Sequence, residues 1–190
     1  MRESKVFSDR LDRLEDKLDK VLDLLTADSG EGGLIPPLTP STSNIIEVKG
    51  IEAPWVIEAL KWEGKSEVAD KKELQDFLGF NPNDQDPDGQ PWCAGFWNSI
   101  FGKLGIQHAH TLRASDYCDF GYECDEVDGA ILVFAPDPES PYPISHVGVK
   151  IGDHLFGGNQ GDSVKRSNLA WYKENAELVA CRCPEGYKLV

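Results

Sequence analysis

One cysteine and one histidine stand in surroundings that suit nucleophilic catalysis. Cys93 lies in the segment Gln90-Pro-Trp-Cys-Ala-Gly-Phe-Trp-Asn, where a helix running to Gly105 is predicted to begin. A helix N-terminus favours the thiolate, because its free N–H groups and its dipole stabilise negative charge. The same N–H groups could bind the oxyanion of a tetrahedral intermediate. The position of Cys93 therefore predicts a nucleophile for acyl transfer.

A thiol nucleophile needs a base, and His146 is the candidate. It lies in Ile-Ser-His-Val-Gly-Val, at the head of a predicted strand. On the neighbouring strand, Asn159 could hydrogen-bond the imidazole and fix its tautomer. From spacing alone a second interpretation stays open, in which the cysteine and the histidine are structural residues of the core.

The elements that would position this pair follow an α+β pattern. Apolar residues at helical spacing predict helices, with Pro54 starting the first and Gly79 ending the second, at 54–63, 67–78 and 93–105. Short β-rich runs follow at 129–135, 146–151, 155–158, around Val164 and 177–182. Helices first and strands afterwards predict an α+β domain with an antiparallel sheet.

Four motifs in order carry a resemblance to a known family. Pro-Trp-Cys-Ala-Gly-Phe, Gly-Ala-Ile-Leu-Val-Phe, Ser-His-Val-Gly-Val and Gly-Gly-Asn-Gln-Gly-Asp resemble the motifs of CHAP and NlpC-type cysteine peptidoglycan hydrolases. The likeness is greatest to the compact group found in phages and prophages, and it covers roughly residues 52 to 183. Relatives usually carry Gly-Asp before the apolar strand, whereas this chain has Asp128-Gly129-Ala130.

The resemblance implies a papain-like domain in which helices pack on an antiparallel sheet. It also implies that Cys93 is the nucleophile, His146 the general base and Asn159 the orienting residue, with Gln160 as the near alternative for that third role. Ser115, in Arg-Ala-Ser-Asp, resembles a segment that borders the cleft in relatives.

Further residues are expected to contact the substrate. Trp92 flanks the nucleophile and could line a groove for sugar and peptide, as could Trp97, for which core packing is the alternative. Ser115 and Gln160 complete the predicted substrate-binding set.

The loop before the nucleophile is acidic. Asp84, Asp86 and Asp88, followed by glycine, resemble the opening half of a calcium loop, in which alternate residues face one hard cation. The usual Glu at the twelfth position is missing, since Gly95 stands there. Some CHAP lysins bind calcium just before the catalytic cysteine, which this position resembles. A solvated acidic turn is the alternative, and the chemistry itself requires no cofactor.

The N-terminal segment has a separate pattern. Apolar residues from Phe7 to Leu25 recur in steps of four and three, which is typical of a coiled coil. We expect residues 1–27 to form an oligomerisation helix, 28–44 a linker rich in Gly, Pro, Ser and Thr, and 45–190 the catalytic domain. The alternative for the first segment is one amphipathic helix lying on the domain.

Charge and hydropathy restrict the partners. A net charge of −14 over 190 residues argues against nucleic-acid binding and against electrostatic capture by an anionic membrane or wall. No run of apolar residues is long enough to predict a membrane span, and the charged N-terminus does not have the pattern of a signal peptide. We therefore expect synthesis in the host cytoplasm and action after release or as a virion component.

These features and the resemblance together predict a peptidoglycan amidase or endopeptidase, an endolysin or virion-associated lysin. Two alternatives stay open: a coiled-coil-assembled structural virion protein with an auxiliary hydrolase, and an antibacterial amidase effector. The sequence does not choose between the muramoyl–L-alanine bond and a peptide cross-link.

Overall fold

The computed structural model describes residues 45–83 and 89–190. The predicted coiled coil and linker, 1–27 and 28–44, lie outside the described residues, and so do Asp84, Asp86 and Asp88. All other residues predicted to form the site are described.

The helices of the described residues include α1 (Pro54–Leu60), α2 (Lys71–Leu78), α3 (Cys93–Lys103) and α4 (Leu169–Asn175). Two short 3-10 helices cover Gly50–Glu52 and Ala114–Asp119. Helix α2 ends at Gly79, whose left-handed backbone (φ 79°) lets its N–H bond the Gln75 carbonyl. Helices α1 to α3 lie where the apolar spacing predicts helices, whereas α4 was not predicted.

The strands form one large antiparallel sheet and one small parallel pair. The described strands are β1 (Ile46–Val48), β2 (Tyr122–Glu123), β3 (Ile131–Pro136), β4 (His146–Ile151), β5 (His154–Gly157), β6 (Lys165–Asn168), β7 (Ala176–Cys183) and β8 (Tyr187–Leu189). The six-stranded sheet has the order β2-β7-β3-β4-β5-β6, and β1 pairs with β8 in parallel. The predicted α+β class with an antiparallel sheet is confirmed.

Helix α3 lies at the centre of the larger core. Seven of its residues are buried: Cys93, Ala94, Gly95, Phe96, Trp97, Ile100 and Phe101. All of them except Gly95 belong to one cluster with Val147 and Val149 of β4 and Phe156 of β5. Burial of this many large side chains fixes α3 on the sheet, because every aromatic side chain removed from water adds to the stability of that contact.

A second, smaller cluster joins α4 to the sheet. It contains Leu132 and Phe134 of β3, Leu155 of β5, and Leu169 and Tyr172 of α4. Strand β4 packs on α3 through Val147 and Val149, and the ring of His146 lies against Tyr172 of α4. The first residue of β4 is His146, so both predicted catalytic residues begin well-packed elements.

Candidate active site

Cys93 is the first residue of α3 and is only 5% exposed. No side chain caps the N-terminus of this helix. The backbone N–H groups of Cys93 itself, of Ala94 and of Val147 are directed at the thiol sulfur. Because Val147 follows His146 directly, this contact holds the nucleophile against the start of β4.

His146 is fixed from two sides. Its ring lies against that of Tyr172 in α4, with centroids 5.3 Å apart and planes inclined by 23°. In the amide orientation that satisfies all its neighbours, Gln160 places Oε1 3.3 Å from His146 Nε2. His146 Nε2–H therefore donates to Gln160, and Nδ1 keeps its lone pair.

Gln160 is itself held rigidly. It is 2% exposed, and its amide nitrogen donates to the carbonyls of Leu155 (3.2 Å) and Lys165 (3.1 Å) and to Ser167 Oγ (2.6 Å). Its oxygen also accepts from the Gly157 N–H at 3.3 Å. With every polar atom paired, the side chain has one orientation in which it can fix the imidazole tautomer.

Asn159, predicted to be the orienting residue, lies in the turn that follows β5. Its backbone is left-handed, with φ 57°, a conformation that Asn adopts more readily than most residues. This turn changes the direction of the chain after β5, so that the next side chain, Gln160, faces His146. The structure thus places the near alternative, and not Asn159, on the imidazole.

Burial sets the protonation state of the pair. It raises the pKa of the Cys93 thiol by more than the three N–H groups lower it, and it lowers the pKa of His146 to about 4. Near pH 7 the resting pair is therefore a neutral thiol and a neutral imidazole. The thiolate predicted from the helix N-terminus is not the resting form, because that prediction left out desolvation.

This protonation state can be measured directly. At pH 7 the ultraviolet thiolate absorbance of the chain should equal that of Cys93→Ala, and a difference should appear only above the ordinary thiol pKa of 9.0. A thiolate band at neutral pH that disappears in Cys93→Ala would show a preformed ion pair and contradict the neutral one.

Two tyrosines beside the nucleophile were not predicted. Tyr117 is fully buried and donates its hydroxyl to Asn98 Oδ1 at 2.7 Å. Burial is the main cause that raises the pKa of Tyr117 and raises that of Tyr172 to about 12, and negative charge on Cys93 adds to both shifts. Both phenols stay protonated near Cys93 at neutral pH. Their positions depend on contacts between distant elements, which residue spacing does not show.

Trp92 packs in the core instead of lining an open groove. It is fully buried, and its indole N–H donates to the buried Glu67 carboxylate at 2.8 Å. A Cβ on Gly158 would lie 2.5 Å from its ring, so only glycine permits this packing. Trp92 thus positions the residue that follows it, Cys93. Trp97 is likewise fully buried.

Ser115 lies on the surface, in the 3-10 helix that also carries Tyr117. Its side chain is exposed, with Oγ 3.4 Å from Asp116 Oδ1. Ser115 thus lies two residues before Tyr117, a buried neighbour of Cys93.

All five cysteines are free thiols. Within residues 45–83 and 89–190, no group of three or more His, Cys, Asp or Glu side chains could hold a metal ion. None of the described helices has the length and apolar character needed to cross a membrane. In comparisons with known proteins, no family model and no curated protein matches the chain.

Proposed function

We propose that the chain is a cysteine-dependent peptidoglycan hydrolase that cleaves amide bonds. The observation that carries the proposal is the placement of Cys93 at the N-terminus of α3, in contact with the amide that follows His146, while Gln160 holds His146 Nε2. A nucleophile, a base and a residue that orients the base are the parts that thiol-based acyl transfer requires.

The chemistry follows from these positions. As the Cys93 sulfur attacks the carbonyl carbon of the amide, its proton moves to His146 Nδ1. The backbone N–H groups of Cys93 and Ala94, which bond the sulfur in the resting chain, lie beside the attacked carbonyl and can bind its developing oxyanion. The imidazolium returns the proton to the departing amine and leaves a thioester. Water, deprotonated by His146, then releases the acid and restores the thiol.

Tyr172 supports the base during this cycle. Its ring lies almost parallel to the imidazole at 5.3 Å, so it can stabilise the imidazolium that forms when the thiol loses its proton. Burial disfavours that cation in the resting state. The charged pair therefore arises only when substrate is attacked.

The substrate class comes from the resemblance. A cysteine that opens a helix, a histidine that begins a strand, and a polar side chain after the next strand follow the order of the CHAP and NlpC-type hydrolases, whose papain-like domain we propose for this chain. We likewise propose that the protein acts as an endolysin or virion-associated lysin, that residues 7–25 assemble it, and that calcium binds at Asp84, Asp86 and Asp88.

Digestion of purified peptidoglycan tests the proposal. The soluble products, analysed by mass spectrometry, should carry new amine and carboxylate ends from amide hydrolysis, while every glycosidic bond stays intact. Cleavage confined to glycosidic bonds, or no soluble product at all from active preparations of the full chain, would contradict it.

The assignment of the orienting residue gives a second test. Gln160→Ala should lower the rate of amide hydrolysis on the order of 10²-fold, because the imidazole loses the acceptor that fixes its tautomer. Asn159→Gly is the matched control, since glycine keeps the left-handed turn, and its rate should stay within about twofold of the native rate. Equal losses in both variants would mean that Gln160 does not orient the base.

A further inference from the structure

Two aromatic side chains stand exposed next to the candidate site. Tyr142 is 50% exposed and Trp171 is 43% exposed, and their ring centroids lie 5.8 Å apart with planes inclined by 49°. Large aromatic surfaces are costly to leave in water, so an adjacent exposed pair is typical of a binding site. We refer to Tyr142 and Trp171 as the aromatic pair.

Both members are held by local hydrogen bonds. The Tyr142 N–H donates to Ser140 Oγ at 3.1 Å, and the Tyr142 carbonyl accepts from the Ile144 N–H at 2.9 Å. Trp171 lies in the first turn of α4, where its N–H donates to the capping Asn168 side chain at 3.2 Å. These hydrogen bonds hold the backbone at both positions, and the ring contact at 5.8 Å sets the two side chains side by side.

The aromatic pair is continuous with the catalytic base. The ring of Trp171 meets that of Tyr172 edge to face at 5.3 Å, and Tyr172 lies 5.3 Å from His146. Because both steps are 5.3 Å, the indole lies within about 11 Å of the imidazole. A substrate ring bound on the aromatic pair would thus be separated from the bond that Cys93 attacks by about one sugar or amino-acid residue.

We propose that the aromatic pair is a subsite for the N-acetylmuramoyl ring of the substrate, which selects the muramoyl–L-alanine bond; this inference rests on the proposed function. The C–H face of a pyranose packs on aromatic rings. The tyrosine hydroxyl and the indole N–H can bond its hydroxyl and acetamido groups. The lactyl arm then carries the amide toward Cys93.

The charge near the aromatic pair favours the neutral muramoyl ring over a stem peptide or a second copy of this chain. Asp137 and the exposed Glu139 precede Tyr142 in the same connection between β3 and β4. They would repel the carboxylates of a stem peptide placed here. A second copy of this chain, which also carries a net charge of −14, is disfavoured for the same reason.

The test compares two small probes on the full chain carrying Cys93→Ala, so that binding is measured without turnover. The probes are N-acetylmuramoyl-L-alanyl-D-isoglutamine and N-acetyl-L-alanyl-D-isoglutamine, which keeps the neutral amide at alanine without the sugar, and both are titrated by calorimetry. The muramoyl compound should bind about tenfold more tightly, since stacking of one ring supplies roughly that factor. Adding Trp171→Ala should reduce the preference to less than about twofold, and Trp171→Phe should retain most of it.

Val179→Ala is the matched control, because Val179 is also 43% exposed but lies on β7. It should keep the full preference for the muramoyl compound. Equal affinity for both probes, or a preference that survives Trp171→Ala, would overturn the subsite. The proposed function fails separately, through the absence of amide-cleavage products when the native chain digests peptidoglycan.

Discussion

Replacement of Cys93 by alanine is expected to lower amide hydrolysis by at least about 10⁴-fold, because the residual reaction has no nucleophile. Alanine is close in size to cysteine and apolar, so the buried start of α3 should keep its packing. The rate at which new amine ends form on peptidoglycan measures the loss. Circular dichroism of the same preparations shows whether the fold is retained.

Cys118→Ala provides the control for this substitution. Cys118 is another free thiol, partly buried in the 3-10 helix Ala114–Asp119. Its removal should change the rate by less than about threefold, whereas His146→Ala should cost about 10²-fold to 10⁴-fold through loss of the base. Full activity in Cys93→Ala would remove this cysteine from the mechanism.

Acid should destabilise the fold through His146. Its pKa in the folded chain is lowered from 6.5 to about 4 by burial, so the unfolded chain takes up the proton first. The contribution of His146 to the free energy of unfolding is therefore complete above pH 6.5 and is lost as the pH falls toward 4. At about 1.4 kcal/mol for each pH unit, the loss is about 3 kcal/mol.

Urea unfolding between pH 7 and pH 4 measures this effect. His146→Gln cannot titrate, so its free energy of unfolding should depend less steeply on pH than that of the native chain. Carboxylates such as Glu58, whose pKa is lowered by Lys103 and Lys61, contribute equally to both proteins and cancel in the difference. Parallel pH profiles would mean that His146 is accessible to protons in the folded state.

The starts of α3 and β4 could be predicted from sequence because the patterns there are local. Cys93 follows a proline-containing loop and precedes apolar residues at helical spacing, and His146 precedes alternating valines. Each residue begins its element in the structure as predicted. Strong local patterns of this kind are preserved when the chain folds, since packing and backbone preference agree.

The details of the site depend on non-local contacts. The left-handed backbone of Asn159 decides that Gln160 faces His146, and neither residue type alone predicts that turn. Trp92 packs in the core because Glu67, 25 residues away, accepts its N–H. Tyr172 lies on a helix of only seven residues, too short for a clear apolar period.

The protonation state of the pair also depends on non-local packing. A helix N-terminus stabilises the thiolate, but the cost of burying that charge depends on every element packed around Cys93. The sequence predicts the first effect and not the second. The neutral pair is therefore a property of the folded core and not of the motif.

Trapping of the acyl-enzyme tests the central claim most directly. The full chain would be mixed with a soluble muropeptide, quenched in acid during turnover, digested with a protease and mapped by mass spectrometry. The acyl fragment of the substrate should be found on the peptide that contains Cys93, and it should be absent from Cys93→Ala. Turnover that continues in Cys93→Ala, or an acyl group carried by a different residue, would contradict the proposed mechanism.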